Sequence, residues 1–258
     1  MTGTHDDTVR EQFRIQATTF TDEGFAARGL DWILERLAPA ADEQVLDVAA
    51  GAAHLGRALA PRVHHVSALD LTWEMLQQGQ RLALAADLRN ITFTLGNAAE
   101  LPYLDGQFDL VVCRLALHQV ADPAAMVREM VRVTRPGGRI GLIDMIADED
   151  PALAEETNRL ECLRDPSHHR TLPLTELHAL LDAAGAVVVS TAIRDHALDL
   201  ADWLARSKTS EPVGARIRAR LEAELAGGPP TGLRPARHDD GSLTFTHPWA
   251  AVTGTPRH

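Results

Sequence analysis

Residues 45–56, Val-Leu-Asp-Val-Ala-Ala-Gly-Ala-Ala-His-Leu-Gly, constrain the fold of this chain more than any other stretch. A β-rich run from Gln44 to Val48 ends in small residues, and a helix opens behind it over His54 to Ala60. Strand, tight turn and helix start together let a backbone approach a polar or anionic ligand closely. A second apolar run, Val66 to Leu69, ends at Asp70, nineteen positions after Gly51. A carboxylate so placed can accept both hydroxyls of a ribose. The spacing therefore predicts a nucleoside-containing cofactor.

With 258 residues the chain can bury one large α/β domain and still carry a lid. A hydrophobic share of 45% and a charged share of 24% suit a globular protein. No apolar run approaches the ~20 residues that cross a bilayer, and the acidic start, Met-Thr-Gly-Thr-His-Asp-Asp, has no apolar signal core. Cys113 lies inside an apolar strand, far in sequence from Cys162, so it reads as packing, and a reducing, cytoplasmic location is expected. The net charge of −11 argues against nucleic acid or an anionic membrane as partner. Arg206, Lys208, Arg216, Arg218 and Arg220, interleaved with Glu222 and Glu224, read as a solvated helix face.

Strands and helices alternate through most of the chain, the pattern of a parallel sheet covered on both faces. Amphipathic helices are expected over Thr8 to Phe20 and Gly29 to Leu37. Strands follow over Val45 to Val48, His65 to Leu69 and Ile91 to Leu95, with a helix from Thr72 to about Ala86. The near-continuous apolar run Phe108 to Leu115 reads as a central strand. Asp122-Pro123 caps a helix ending near Thr134, Arg135-Pro-Gly-Gly forms a turn, and Arg139 to Met145 is a fifth strand. Residues 147–171 break the rhythm. A helix over Thr175 to Ala184, a strand over Val187 to Ile193, helix over 197–226, loop over 227–240 and a half-exposed strand from Ser242 to Trp249 complete the reading.

Four ordered motifs now resemble the class I S-adenosylmethionine (SAM)-dependent methyltransferases, in the small-molecule branch that includes the ubiquinone/menaquinone C-methyltransferases. They are VLDVAAGAAHLG (45–56), ALDLTWEML (68–76), GNAAELPYLDGQFDLVVCRLALHQV (96–120) and VREMVRVTRPGGRIGLID (127–144). The resemblance runs from about Val9 to Leu181. It implies a Rossmann-like α/β fold: a seven-stranded, mostly parallel sheet with helices on both faces, an antiparallel last strand and helical lid insertions. One methyltransferase domain would span 1–258, with an N-terminal helical cover (1–40), a SAM-binding core (41–146) and substrate-side insertions at 147–172 and 197–240.

Carried over by position, the resemblance implies that Asp47, Ala49 and Gly51 line the methionine portion of SAM. Asp70 would hold the ribose, with Leu71 and Met75 against the adenine, and Asn97 and Ala98 would meet the adenine edge. Cys113 and Arg114 would lie beside the sulfonium through their backbone. The chain departs from the family at Ala49 and Ala53, where glycine is usual, and at Asn97, where aspartate is commoner. An alanine methyl narrows the loop if the position needs positive φ, whereas Asn97 can still accept a hydrogen bond through its amide oxygen.

Methyl transfer from a sulfonium needs chiefly positioning, and often a single base. Candidates for that role stand beyond the carboxyl ends of the central strands: His118, one turn past the fourth strand, and Asp144, at the end of the fifth. His168 and its neighbour His169, in the Arg164–Arg170 segment, are candidates to reach over the pocket. Phe20 is expected to cover the cofactor and offer its ring to the cation, and Phe13 to pack in the core. No Cys/His set has zinc spacing, no carboxylate cluster forms a magnesium cage, and no Lys-Ser/Thr follows the glycine turn. The expected partner is thus a small-molecule methyl acceptor, with no metal at the site, roofed by residues 147–171 and the N-terminal helices. A dehydrogenase would share the turn and the ribose acid, but the Asn97-Ala98 turn and the RPGG join favour the methyltransferase. The rival reading is a SAM-binding protein that has lost methyl transfer or catalyses another reaction on a natural product.

Overall fold

The computed structural model describes residues 4–17, 20–21 and 24–257. The sheet begins with β1 (Gln44–Val48), whose residues Val45 to Val48 are buried from both faces. It continues through β2 (His65–Asp70), β3 (Ile91–Leu95), β4 (Phe108–Arg114) and β5 (Thr134–Met145). These five strands are parallel neighbours in the order β3-β2-β1-β4-β5. Past β5 lie β8 (Leu243–Pro256) and then β6 (Ala186–Asp199), with β8 antiparallel to both.

Side-chain alternation along β4 sets up two cores. Val111 and Cys113 join α5 (Pro123–Val133) and α7 (Leu174–Ala183) through Met126, Met130, Leu177 and Leu181. Leu110 and Val112 point to the opposite face, where α2 (Leu30–Leu37) and α3 (His54–Leu59) contribute Ile33, Leu37, Leu55 and Leu59. Helix starts follow local capping chemistry. Thr4 and Asp7 form a reciprocal capping box on α1 (His5–Gln16), and Asp122 accepts from Ala125 N at 2.8 Å ahead of Pro123.

Several expected segments differ in the structure. The sheet has an eighth strand, β7 (Ala236–Arg237), a two-residue pairing with β8 inside the expected 227–240 loop. The first helix is α1, which ends at Gln16, and residues 18 and 19 of the expected Thr8–Phe20 helix lie outside the described residues. The Arg135-Pro-Gly-Gly turn is an excursion within β5: Phe108 pairs with Thr134, and the next pair is Leu110 with Arg139. Residues 147–171 are not irregular but hold the 14-residue helix α6 (Pro151–Arg164), capped by Asp150.

The strands β6 and β8 both run longer than their sequence patterns suggest, because each completes the other's backbone hydrogen bonds along a shared ladder. Their antiparallel ladder extends from Ala186–Pro256 to Asp199–Thr244; Leu243 to Trp249 alternate between buried and part-exposed as expected, and the strand continues past them through the buried Ala250, Ala251 and Val252. Helices α8 (Leu200–Arg206) and α9 (Glu211–Leu225) replace the expected helix over 197–226. With α6 and the far ends of β6 and β8 they enclose a third core built on Leu160, Trp203, Ile217, Leu221 and Phe245. The two insertions thus fold against each other, with Thr157 Oγ1 donating to Thr231 O at 2.8 Å.

Candidate functional site

Strand order reverses between β1 and β4, and a crevice must open there at the carboxyl ends of the strands. A cavity of about 250 Å³ occupies that place. Its first half is built from the loops after β1, β2 and β3. Asp47, Ala49, Gly51, Asp70, Leu71, Met75, Asn97 and Ala98 all line it, as does Phe20. Phe13, 6.1 Å from the Phe20 ring, lines it too while packing against the small buried cluster of Ala17, Ala52 and Met75.

The β1 turn adopts a glycine-like backbone although alanine occupies it. Ala49 (φ 54°) and Ala53 (φ 53°) are both left-handed, as is Gly51 (φ 56°). A Cβ on Gly51 would meet only the flexible end of Met75, Cε at 3.0 Å, so the left-handed backbone rather than lack of room favours glycine there. Asp70 holds the turn, accepting from Gly51 N at 2.7 Å through Oδ2 and from Thr72 N at 2.8 Å through Oδ1. Burial raises its pKa, and these backbone donors oppose the rise. Each oxygen keeps acceptor capacity after one hydrogen bond. Asp47 accepts from Gly56 N at 2.8 Å, and burial lifts its pKa to about 7 against the pull of that bond and of Arg114.

Past β4 the cavity is lined by Arg114, Leu115, Ala116, His118, Gln119 and Val120. Cys113 does not line it. Its side chain is fully buried in the β4–α5 core, because alternation along the strand turns it away. Arg114 does reach the cavity, and with its side chain: the guanidinium lies 5.5 Å from the Trp249 ring centroid, donates to Arg28 O at 2.9 Å, and leaves Nε buried without a partner. Burial lowers its pKa to about 10, against the attraction of Asp47 and Asp144.

His118 Nδ1 lies 2.6 Å from Asp144 Oδ1, and both residues are buried. Asp144 stands behind the histidine and does not itself line the cavity. Burial disfavours a charged His118 ring, yet the attraction and hydrogen bond of Asp144, with Glu161 adding, outweigh it and raise the pKa. The pairing leaves Nε2 as the acceptor nitrogen of the neutral ring, with no hydrogen-bond partner among the described residues. His118 O accepts from His169 N at 2.8 Å and Arg170 N at 3.0 Å, so backbone clamps the residue from behind.

His168 and His169 do not line the cavity. The His168 ring stacks on His118 at 5.5 Å, and its Nε2 meets Asn158 Oδ1 at 2.9 Å. Burial lowers its pKa to about 4. A turn held by Asp165, which accepts from Ser167 N and Oγ, sets it in that second layer.

The other half of the cavity went unseen in sequence. Phe25, Met145, Leu198 and Trp203 supply apolar walls, with Arg164, Asp165, Arg206, Ser207 and His247 between them. Arg206, read above as part of a solvated face, turns inward. Its position three residues after the buried Trp203, on one face of α8, was the available signal. Glu161 is fully buried between Arg164 Nε at 3.3 Å and His247 Nε2 at 3.1 Å. Burial works against its charge, but the Arg164 guanidinium and the contact with His247 hold its pKa well below the carboxylate range. Among the described residues no group of three or more His, Cys, Asp or Glu is arranged to hold a metal, and no helix is long and apolar enough to cross a membrane.

Comparison with known proteins agrees with this layout. A family model described as a methyltransferase domain matches residues 45–138. The chain is 38% identical over 173 residues to the methyltransferase YcgJ of Bacillus subtilis, covering 66% of this chain and 68% of that protein. The crystal structure of YcgJ matches with a TM-score of 0.81 and 29% identity over 90% of this chain and 99% of that one. The demethylmenaquinone methyltransferase of Listeria monocytogenes is 40% identical over 103 residues, which is 39% of this chain and 44% of that protein.

Proposed function

The chain belongs to the class I SAM-dependent methyltransferases, and from that premise we propose that it methylates an oxygen, carbon or nitrogen of a small molecule, with His118 as the base. The observation that carries the proposal is the buried His118–Asp144 pair at the edge of the cavity. SAM, when bound, supplies a methyl group already activated as a sulfonium. The chain's residues suit it: Asp70 keeps acceptor capacity for ribose hydroxyls, and Leu71, Met75 and Ala98 offer an apolar bed for an adenine. Asn97, whose Oδ1 already accepts from Ala99 N at 2.9 Å, would meet the adenine edge. Ala49 and Gly51 leave the first turn open toward the methionine portion, beside Asp47. Phe13 and Phe20 cover this half and present ring faces suited to a cation.

Asp144 fixes the His118 ring so that Nε2 can take a proton from the acceptor, and it stabilises the imidazolium formed. Clamping of His118 O by residues 169 and 170 holds the base in place without taking up Nε2. His168 supports that ring rather than meeting an acceptor. In this reading residues 41–146 hold the cofactor, and 1–40, 147–172 and 197–240 form the cover that excludes water and shapes the acceptor pocket. A quinone-like ring is a fitting acceptor, since its hydroxylated form carries an acidic proton; the demethylmenaquinone methyltransferase relative points the same way.

Loss of methyl transfer, the rival reading, rests on Asn97 and on two alanines, Ala49 and Ala53. Both keep the left-handed backbone that glycine would take, so the turn is not collapsed. Calorimetry with SAM and S-adenosylhomocysteine, followed by turnover on phenols, hydroquinones and amines, tests the proposal. Binding together with methylation of a panel member is the expected result. Absence of binding of either nucleoside at millimolar concentration refutes it.

A further inference from the structure

We infer that the methyl acceptor is a small apolar molecule carrying an oxyanion, a carboxylate or a phosphate, and that Arg206 receives that group. This rests on the methyltransferase reading and deepens it by naming the substrate class. Arg206 ends α8 and lines the cavity, its guanidinium 4.0 Å from the centre of the Phe25 ring. Among the described residues it has no hydrogen bond and no ion pair. Five N–H donors in a planar fork, stacked on a ring and left without a counter-ion, match a carboxylate or phosphate edge. A guanidinium drawn out of water asks for such a partner, because an unpaired charge is costly there.

The neighbouring charges do not supply one. Glu161 is engaged by Arg164 and His247. Asp165 takes up Arg164, Ser167 and, at 3.4 Å, Ser207 Oγ. Glu161 and Asp202 attract Arg206 without either reaching it, while Arg164 and Arg28 repel it. Arg114 adds a further cation to the same cavity. In a chain of net charge −11, this concentration of arginine around an opening is local and directed inward. Phe25, Met145, Leu198 and Trp203 leave the rest of that half apolar, so the molecule that fits has an apolar body and one anionic end.

The test uses the full chain saturated with S-adenosylhomocysteine and titrated with benzoate, phenyl phosphate and neutral benzamide. The wild-type protein should bind at least one of the two anions about tenfold or more tightly than benzamide, the gain expected of a charge-assisted hydrogen bond. Which anion it prefers identifies the source of the oxyanion. Arg206→Met, which keeps an apolar stem against Phe25, should reduce that preference to below about twofold, and Arg206→Lys should restore part of it. S-adenosylhomocysteine affinity should stay within about twofold in both variants. Equal binding of all three probes to the wild-type protein, or none up to about 10 mM, overturns the inference. So does a tenfold loss of S-adenosylhomocysteine affinity in Arg206→Met, which would assign the guanidinium to the cofactor's own carboxylate. Cofactor binding is read separately, so absence of an anion preference in the wild-type protein with the nucleoside still bound strikes this inference alone.

Discussion

Replacing Asp144 by Asn isolates the charge of the His118 partner from its shape. Asp144 Oδ1 accepts from both His118 Nδ1 at 2.6 Å and Met145 N at 2.7 Å. An Asn oxygen in that place keeps both acceptor roles, and with them the ring tautomer. The new amide nitrogen takes the position of Oδ2, which is buried without a partner, at a stability cost of about 1–3 kcal/mol. An opposite charge this close raises a histidine pKa by about 1–3 pH units. Burial, the largest single influence on His118, acts the other way and persists in the variant. The pKa should therefore cross from above the ordinary value of about 6.5 to below it. An NMR titration of the His118 ring proton, assigned with His118→Gln in protein saturated with S-adenosylhomocysteine, reads this directly. Methyl transfer in the wild-type protein should rise with pH through the raised pKa, as the base becomes neutral. If about half of the lost basicity is felt in the transition state, the variant slows ~3- to 30-fold, against ~10²–10⁴ for His118→Ala. A variant pKa that stays above the ordinary value, or a rate as low as that of His118→Ala, refutes the reasoning.

The same pair sets a pH dependence of stability. A histidine with a raised folded pKa stabilises fully below its unfolded pKa and loses that contribution as pH rises through the folded one. The deficit of Asp144→Asn in chemical denaturation should accordingly be larger at pH 5 than at pH 9 by this contribution, and an equal deficit at both ends counts against it. Glu161→Gln removes a buried carboxylate from between Arg164 and His247 and should cost about 3–5 kcal/mol, lowering Tm by about 6–20 °C; calorimetry showing a fall under about 2 °C would contradict the buried pairing. Asp70→Ala should weaken S-adenosylhomocysteine binding by about 1.5–3 kcal/mol in titration calorimetry, and unchanged affinity would remove Asp70 from the cofactor site. Ala49→Gly should relieve about 1–2 kcal/mol of left-handed strain and return only part of it as unfolded-state entropy; urea denaturation showing destabilisation would refute the strain.

Pairing of His118 with Asp144 shows how far residue patterns carry. Each residue stood out singly at a strand end, and they are 26 positions apart in sequence. Their meeting follows from the parallel register of β4 on β5, in which Arg114 faces Ile143. Residues just beyond adjacent parallel strand ends share one edge, so the neighbourhood was implied by the topology. The direction of Cys113 was legible too: Leu110 and Val112 against Val111 and Cys113 divide by simple alternation. His168 misled because its segment has no periodicity of its own. The turn that holds it depends on Asp165 and on backbone donors to His118.

By itself the sequence determined the sheet core and the cofactor-side turns. That geometry is local, written in strand–turn–helix units whose apolar runs, small residues and strand-end carboxylates lie within about thirty residues of one another. Tertiary structure alone decided the other half of the cavity. Phe25, Arg164, Arg206 and His247 come from four separate segments, and no periodic pattern links them. They converge because β6 and β8 extend past the sheet and enclose a third core with α6, α8 and α9. Once that core is buried, the face of α8 that carries Trp203 also turns Arg206 toward the cavity. Chain-distant packing, which composition and spacing do not encode, sets the charge that lines this half of the cavity.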